Sequence, residues 1–583
     1  MTQAGESSRR LWPQNGRSQD GRGAGVPSGQ QDRRPRGGQH GRFLRVGVLC
    51  LGVLVVACAG KDHPRVGDTG YDRVSEAGYD AAHTKRLFTV GYQDIVEIYI
   101  EDVEIKALAL AGLDRLSRLD PALETTVAGD HLRIAYDGER TGLLSLPRQD
   151  TADAWGGLTA RALGFAREVS AGINTTTPEA LYRTVFSGIV TELDTYSRYA
   201  GTEDARENRA NRDGFGGIGV RIVTVEDGFR VTEVIADTPA AKAGLRTGDV
   251  IVAIDSTPAR DLSETESKTA LRGPVDSEVT LSIRRGTATR PAPAQIAVTR
   301  RHIVPPTVAF EAKDRAAYFR VTGFNQDTAR TLRRALRKAH RDLGRDLAGY
   351  VLDLRGNPGG LLDQAVEVAD LFLAGGRVVY TQGRHPDSHQ VFESAAGDIG
   401  ESKPLVVLVN GGSASASEIV AAALQDSRRA VVVGTTSFGK GTVQTVLRLP
   451  NQGELTLTWA RFHAPSGYAL SRHGVIPNLC TGGLVKAGAK TGAKTGTGAK
   501  TDAETAAIDP ETLLARLRQR PTPTPAPETT TAETDLDIGE SVCPRQRVKA
   551  AMDLDLAVRL LEDKSLYRSA ATRTAAHLAQ AGK

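Results

Sequence analysis

Cysteine is scarce in this chain: four residues in 583, at Cys50, Cys58, Cys480 and Cys543, which excludes a disulfide-dense small scaffold. Long apolar runs are nearly absent too. The one that stands out, VGVLCLGVLVVA at 46–57, is too short to cross a bilayer as a helix. A metal site is missing where spacing first suggests one. His385 and His389 stand four apart, but Pro386 and the polar HPDSH context make a loop of them, so neither a metal nor any other cofactor is expected. A basic body is lacking as well. Residues 1–45 hold nine arginines, no lysine and three acids, so they exceed the whole net charge of +5 and leave −1 for the rest. Nucleic acid is therefore not an expected partner. What remains, 25% charged and 40% hydrophobic residues, describes a soluble globular protein long enough for several domains.

The basic stretch and the apolar run together read as a signal peptide over 1–57. The run ends in Val55-Val56-Ala57-Cys58, which resembles the lipobox of bacterial lipoproteins. That resemblance implies export to the periplasm or cell envelope and a mature chain beginning at a lipidated, membrane-anchoring Cys58. An ordinary cleaved signal or a buried strand are the alternatives. Residues 58–80 read as a tether. Cys480 and Cys543 form an even pair suited to an oxidising compartment, and a disulfide between them would staple the ends of the segment they enclose. Two buried thiols would be the other reading.

Residues 81–212 carry helical patterns. In TPEALYRTVFSGIVTELDTYSRYAG, Thr177 suits an N-cap, Pro178 a first helical position, and Leu181, Val185, Ile189 and Leu193 recur at helical spacing. Residues 213–302 switch to short β-branched runs with turn signals and one short helix at PAAKAGL. Residues 303–480 alternate strands and helices, the rhythm of an α/β layer fold. Residues 481–535, rich in Gly, Lys, Thr and Pro, read as a low-complexity linker, and 536–583 as an amphipathic helical tail.

Three glycine-bearing turns follow strands in the α/β part: LDLRGNPGG, NGGSASASEI and VGTTSFGKGTVQ. In the second, Ser415 and Glu418 fit an S-x-x-E capping box, so Ser413, Ser415 and Ser417 are either cap residues or include a nucleophile at a helix start. The third matches G-x-x-x-x-G-K at Gly434–Lys440. Gly441 replaces the Ser or Thr of a phosphate loop, however, and GTVQTVLRL reads as a strand where a phosphate needs a helix N-terminus, so no nucleotide is expected. A lysine between glycines has another use. Its free pKa of about 10.4 keeps it protonated at neutral pH, but desolvation lowers that value until the amine can act as a base for a serine. A surface turn lysine is the plain alternative.

Taken together, LDLRGNPGG, SASASEI, LQD and SFGKGTVQ, with GFGGIGV upstream, resemble the carboxy-terminal processing (tail-specific) proteases over about residues 178–478. The resemblance implies a Clp-peptidase/crotonase-like α/β core with an inserted PDZ domain and, in this chain, an added helical N-terminal region. It implies a serine endopeptidase in which Ser415 is the nucleophile, Lys440 the base and Gln444 the residue orienting that base. An even spacing of four would put Lys440 and Gln444 on one face of a strand. The N–H of Ala416, with Gly359 or Gly360, would hold the oxyanion. Gly216, Gly217, Ile218, Gly219 and Val220 would form the PDZ loop that captures a substrate's C-terminus. Partners are then proteins or peptides with exposed C-termini, the membrane through the anchor, and, as an open option, further copies of this chain in a homo-oligomer. Asp426, eleven residues beyond Ser415, reads as structural. Asn478 stands where the family usually has aspartate. A catalytically idle scaffold that binds protein tails is the second reading.

Overall fold

The computed structural model describes residues 79–286, 294–395, 397–482, 510–518, 543–547 and 551–572. The expected signal peptide, Cys58, the tether up to residue 78 and most of the expected linker lie outside these residues.

The N-terminal region is helical at both ends. Asp80 caps the helix Ala81–Ile98 by accepting the N–H groups of Ala82 and His83, and that helix packs along Ala152–Val169. Thr177 and Pro178 open the helix Pro178–Thr191, whose Leu181, Val185 and Ile189 are fully buried. Between these helices lies a three-stranded antiparallel sheet, Leu123–Ala128, His131–Tyr136 and Arg140–Ser145, which the sequence reading did not separate from its helical surroundings.

The next domain is a sheet in the order Ala294–Thr299, Glu278–Arg284, Val250–Ile254, Gly228–Val234, Val220–Val225. It closes on an apolar core of Ile218, Phe229, Val231, Ile251, Leu281 and Val298. Besides the short helix Pro239–Lys242, it carries Glu264–Leu271, opened by a Ser263–Glu266 capping box. Val220–Val225 ends the strand order and has no partner on its outer side among the described residues.

The α/β core is built on a six-stranded sheet ordered Val308–Lys313, Ala316–Val321, Gly349–Asp353, Leu405–Val409, Val431–Gly434, Leu479–Cys480. The first pair is antiparallel and the rest are parallel. Its central strands are mostly apolar, the last two valine-rich, and buried on both faces, as parallel strands under two helical layers must be. Alternate residues serve the two layers. Tyr350, Leu352, Leu405 and Val407 pack with the helices Thr328–Leu343, Leu362–Asp370 and Ala416–Asp426. Val351, Val406, Leu408 and Val433 pack with Leu556, Ala557, Leu560 and Leu561 of the tail helix Ala551–Glu562. The tail therefore supplies a layer of the core. So does Pro510–Arg518, a helix inside the segment read from composition as linker: its Leu514 and Leu517 are buried in the same cluster. Cys480, on the last strand, is disulfide-bonded to Cys543.

A second sheet, Gln390–Ser394, Gly376–Gln382, Glu454–His463 and Thr442–Arg448, lies beside the core, and Arg198–Ala200 of the N-terminal region adds to Glu454–His463. Among the described residues no helix is long and apolar enough to cross a membrane.

Candidate active site

The three glycine turns leave the carboxyl ends of three adjacent parallel strands, Gly349–Asp353, Leu405–Val409 and Val431–Gly434, the place where open α/β sheets bind ligands. The segment after Lys440 is a strand, Thr442–Arg448, so no helix N-terminus awaits a phosphate there.

The three serines separate by what their hydroxyls do. Ser413 Oγ donates to Leu354 O (2.8 Å) and accepts from Asn410 N–H (3.0 Å). Ser417 Oγ donates to Asn357 O at 3.0 Å. Both side chains are fully buried and committed to the backbone. Ser415 is different. Its hydroxyl stands opposite the Glu418 N–H in a capping-box arrangement but makes no hydrogen bond of normal geometry, and its backbone sits at φ 54°, ψ −115°, a conformation that costs a non-glycine residue about 1–3 kcal/mol. The cap anticipated from S-x-x-E is made through the main chain: Ser415 N–H donates to Glu418 Oε2 (2.7 Å) and Glu418 N–H to Ser415 O (2.8 Å).

Glu418 does far more than cap. Its buried carboxylate also accepts Ser437 Oγ–H (2.5 Å), Gly439 N–H (2.6 Å) and Lys440 N–H (3.1 Å). One side chain thus ties the serine helix to the lysine loop. Burial pushes its carboxyl above the ordinary value, while the Ser437 hydroxyl and the three N–H groups pull the other way. The sequence offered only the local half of this role, because the other three donors lie 19–22 residues away.

Lys440 has its pKa lowered to about 8, first by burial and then by the nearby Arg198 charge, with Glu418 and Asp194 opposing. With that value, about a tenth of the amine is neutral at pH 7 and about nine tenths at pH 9. Its ammonium lies 5.1 Å from the centre of the Tyr196 ring, a cation–π contact. Tyr196 and Arg198 come from the N-terminal region. There Asp194 Oδ1 accepts the N–H groups of Tyr196 (2.6 Å) and Ser197 (2.9 Å), a turn that aspartate commonly nucleates. Sequence reasoning had placed this stretch at the end of a helix and missed its approach to the lysine. Ser415 and Lys440 make no side-chain hydrogen bond to each other in this conformation.

Gln444 does not reach Lys440 by hydrogen bond. Its amide donates to Thr442 Oγ1 (2.9 Å) and Thr458 Oγ1 (3.2 Å). Lys440 precedes the strand and the register shifts between Val443 and Gln444, so an even spacing of four does not place the two residues on one strand face. Asp426 accepts Ser466 N–H at 2.9 Å, a structural role. Asn478 Oδ1 accepts both Val432 N–H (2.7 Å) and Gln425 Nε2–H (3.0 Å).

The Gly359–Gly360 turn packs directly on the serine. A Cβ at Gly359 (φ 104°) would stand 2.9 Å from Ser415 Cβ and 3.0 Å from Ala416 N, so only glycine fits. Asn357 stitches the two turns together: its carbonyl accepts Ala414 N–H (3.0 Å) and the Ser417 hydroxyl. Its Oδ1 accepts Gly359 N–H at 2.9 Å. The N–H groups of Ala416 and Gly360 have no partner among the described residues.

In the sheet domain, Gly216 and Gly217 pair with Arg301–His302, and Gly219 turns at φ 86° against Thr238. Ile218 is buried, and Val220 begins the free edge strand. The N–H groups of Ile218 and Gly219 have no partner among the described residues, which leaves a small nest of amides at the end of an open edge.

The sequence model of Peptidase family S41 matches residues 315–480, and that of the PDZ domain residues 216–296. The carboxy-terminal-processing protease of Bartonella bacilliformis is 40% identical over 303 residues, which cover 52% of this chain and 69% of that protein. The carboxyl-terminal-processing protease of Synechocystis sp. is 34% identical over 267 residues, 45% of this chain and 61% of that protein. A probable CtpA-like serine protease of Staphylococcus aureus is 32% identical over 305 residues, 52% of this chain and 60% of that protein. Among solved structures, the photosystem II D1 C-terminal processing protease aligns at 23% identity and a TM-score of 0.35, over 68% of this chain and 92% of that one. The chain belongs to the carboxy-terminal-processing serine proteases of Peptidase family S41.

Proposed function

We propose that this protease cleaves protein substrates with Ser415 as nucleophile and Lys440 as general base, on tails delivered by its PDZ domain. One observation carries the reading. Of three serines at the helix mouth, only Ser415 has an uncommitted hydroxyl, and Glu418 fixes its backbone beside a lysine of lowered pKa.

In this reading Lys440, once neutral, swings off the Tyr196 ring and takes the Ser415 proton as Oγ attacks the scissile carbonyl. Ala416 N–H and the Gly359–Gly360 turn, where the Gly360 N–H is open, hold the oxyanion, each donor worth about 3 kcal/mol of barrier. The protonated amine then returns its proton to the leaving nitrogen, and the acyl-enzyme is released when Lys440 deprotonates a water. Gln444 secures the start of the lysine strand through Thr442 and Thr458. The substrate's C-terminal residues add to the free edge Val220–Val225, with the carboxylate on the amides of Ile218 and Gly219.

The test is cleavage, without nucleotide at pH 9, of an unfolded protein ending in an apolar tail and of the same protein with an amidated C-terminus. The substrate with the free C-terminal carboxylate should be cut at least tenfold faster. Equal rates would remove the PDZ from recognition, and binding without cleavage would favour an idle scaffold.

Export and a lipid anchor at Cys58 complete the proposal, resting on the apolar run that stops at Val55-Val56-Ala57-Cys58. Mass spectrometry of membrane-extracted protein should find a mature chain beginning at a lipid-modified Cys58. A mature form with that cysteine unmodified would contradict it.

A further inference from the structure

The serine turn and the lysine loop are held together from one side by Glu418. A second tie is a piece of chain from more than a hundred residues away, Cys543–Arg547. Gln546 O accepts Gly411 N–H (2.8 Å) from the serine turn and the Thr435 hydroxyl (3.1 Å) from the lysine loop. Asn410 Nδ2 donates to Arg547 O at 3.1 Å. Thr436 Oγ1 donates to Cys543 O at 2.6 Å, and Arg545 Nε to Ser437 O at 3.0 Å. Arg545 also donates to Arg472 O and His473 O, and the Arg547 guanidinium lies 5.8 Å from the centre of the Phe438 ring.

This segment is fastened at one end by the disulfide to Cys480, whose strand position pairs with Gly434, the residue from which the lysine loop departs. Beyond it, the helix Ala551–Glu562 is docked by its leucines and by the buried ion pair of Asp553 with Arg355 (2.9 Å). Losing the disulfide would therefore release the Cys543 end of this segment, leaving its hydrogen bonds as the only fastening there, without undocking that helix. Thr436 and Ser437 are fully buried under the segment, so water would replace their fixed partners with mobile ones.

We propose that Cys543–Arg547 is a positioning element for the two catalytic loops, and that turnover depends on the Cys480–Cys543 bond being intact. The proposal rests on the Ser415–Lys440 reading. An external dithiol opens the bond by thiolate attack. Attack falls on Cys480, the partly exposed residue of the pair, since Cys543 is fully buried, and the Cys543 thiolate leaves. Two electrons and two protons pass to the protein cysteines as the reductant closes its own disulfide.

The experiment uses the full chain with a peptide substrate, before and after dithiothreitol. Thiols are counted by alkylation and mass, folding is followed by near-UV circular dichroism, and Ser415→Ala in the oxidised state verifies that cleavage is Ser415-dependent. With both thiols free, kcat should fall at least tenfold with KM within twofold, and reoxidation should restore it. An unchanged kcat overturns the proposal while leaving the Ser415 assignment intact. Should reduction unfold the protein, Arg545→Ala with the disulfide intact decides. It should lower kcat rather than raise KM, with Arg545→Lys partly rescuing, and wild-type kcat in Arg545→Ala would overturn the idea.

Discussion

Ser415→Ala should lower kcat/KM by at least about three orders of magnitude and leave the fold as stable as before. Both halves follow from the geometry. The hydroxyl loses only a capping-box contact that falls short of a normal hydrogen bond, and the stronger part of the cap runs through the main chain to Glu418, so the stability change should stay within about 0.5 kcal/mol rather than the ~1 kcal/mol of an ordinary lost cap. Ser415→Gly, equally inactive, should be about 1 kcal/mol more stable than Ser415→Ala, because glycine accepts φ 54° without strain. The neighbours should behave in the opposite manner. Ser413→Ala strands the buried N–H of Asn410, and Ser417→Ala removes a donor from Asn357 O, so each should destabilise by about 1–3 kcal/mol and retain measurable cleavage. Calorimetry and steady-state kinetics on the four variants check this. A folded, active Ser415→Ala beside an inactive Ser413→Ala or Ser417→Ala would transfer the nucleophile elsewhere.

Glu418→Gln should have the second largest effect. An amide in this buried position keeps one acceptor oxygen but turns an NH2 toward some of the four donors the carboxylate now satisfies. Each buried donor left unsatisfied costs about 1–3 kcal/mol, and the serine and lysine loops lose their common anchor, so kcat should fall by about a hundredfold or more. The sign of a second change distinguishes this from general damage. The Glu418 charge raises the Lys440 pKa, so its removal should move the acid limb of the residual activity to lower pH. A variant with wild-type kcat, or an alkaline shift, would contradict the role given to Glu418.

Much of this architecture was legible in the sequence because local signals and fold agreed. VVLVN and VVVG are β-branched runs ended by turn residues, and each became a buried parallel strand feeding a functional turn. Thr177 with Pro178 marked a helix start to the residue. What was not legible depends on distance along the chain. The strands at 123–145 carry hairpin turns at Gly129 and at Asp137-Gly138, yet the helical cadence on either side masked their alternation. PETLLARLR forms a helix because its leucines find the tail and the sheet, a tertiary gain that composition among Pro-Thr repeats conceals. In the site, Ser415, Lys440 and the two glycines were readable from motifs. The partners that set their chemistry, Glu418 toward Lys440 and Asp194, Tyr196 and Arg198 toward its amine, meet only through folding.

The central claim is that a neutral Lys440 activates Ser415. It is tested most directly by the rate at which a fluorophosphonate, losing fluoride, phosphonylates the intact enzyme between pH 6 and 10, with the adduct mapped by mass spectrometry. One adduct is expected, on Ser415. Its rate should rise about tenfold per pH unit and level off above a pKa of about 8, a dependence that Lys440→Met abolishes along with most of the rate. An adduct on Ser413 or Ser417, or labelling of Ser415 at a pH-independent rate that Lys440→Met leaves unchanged, would contradict it.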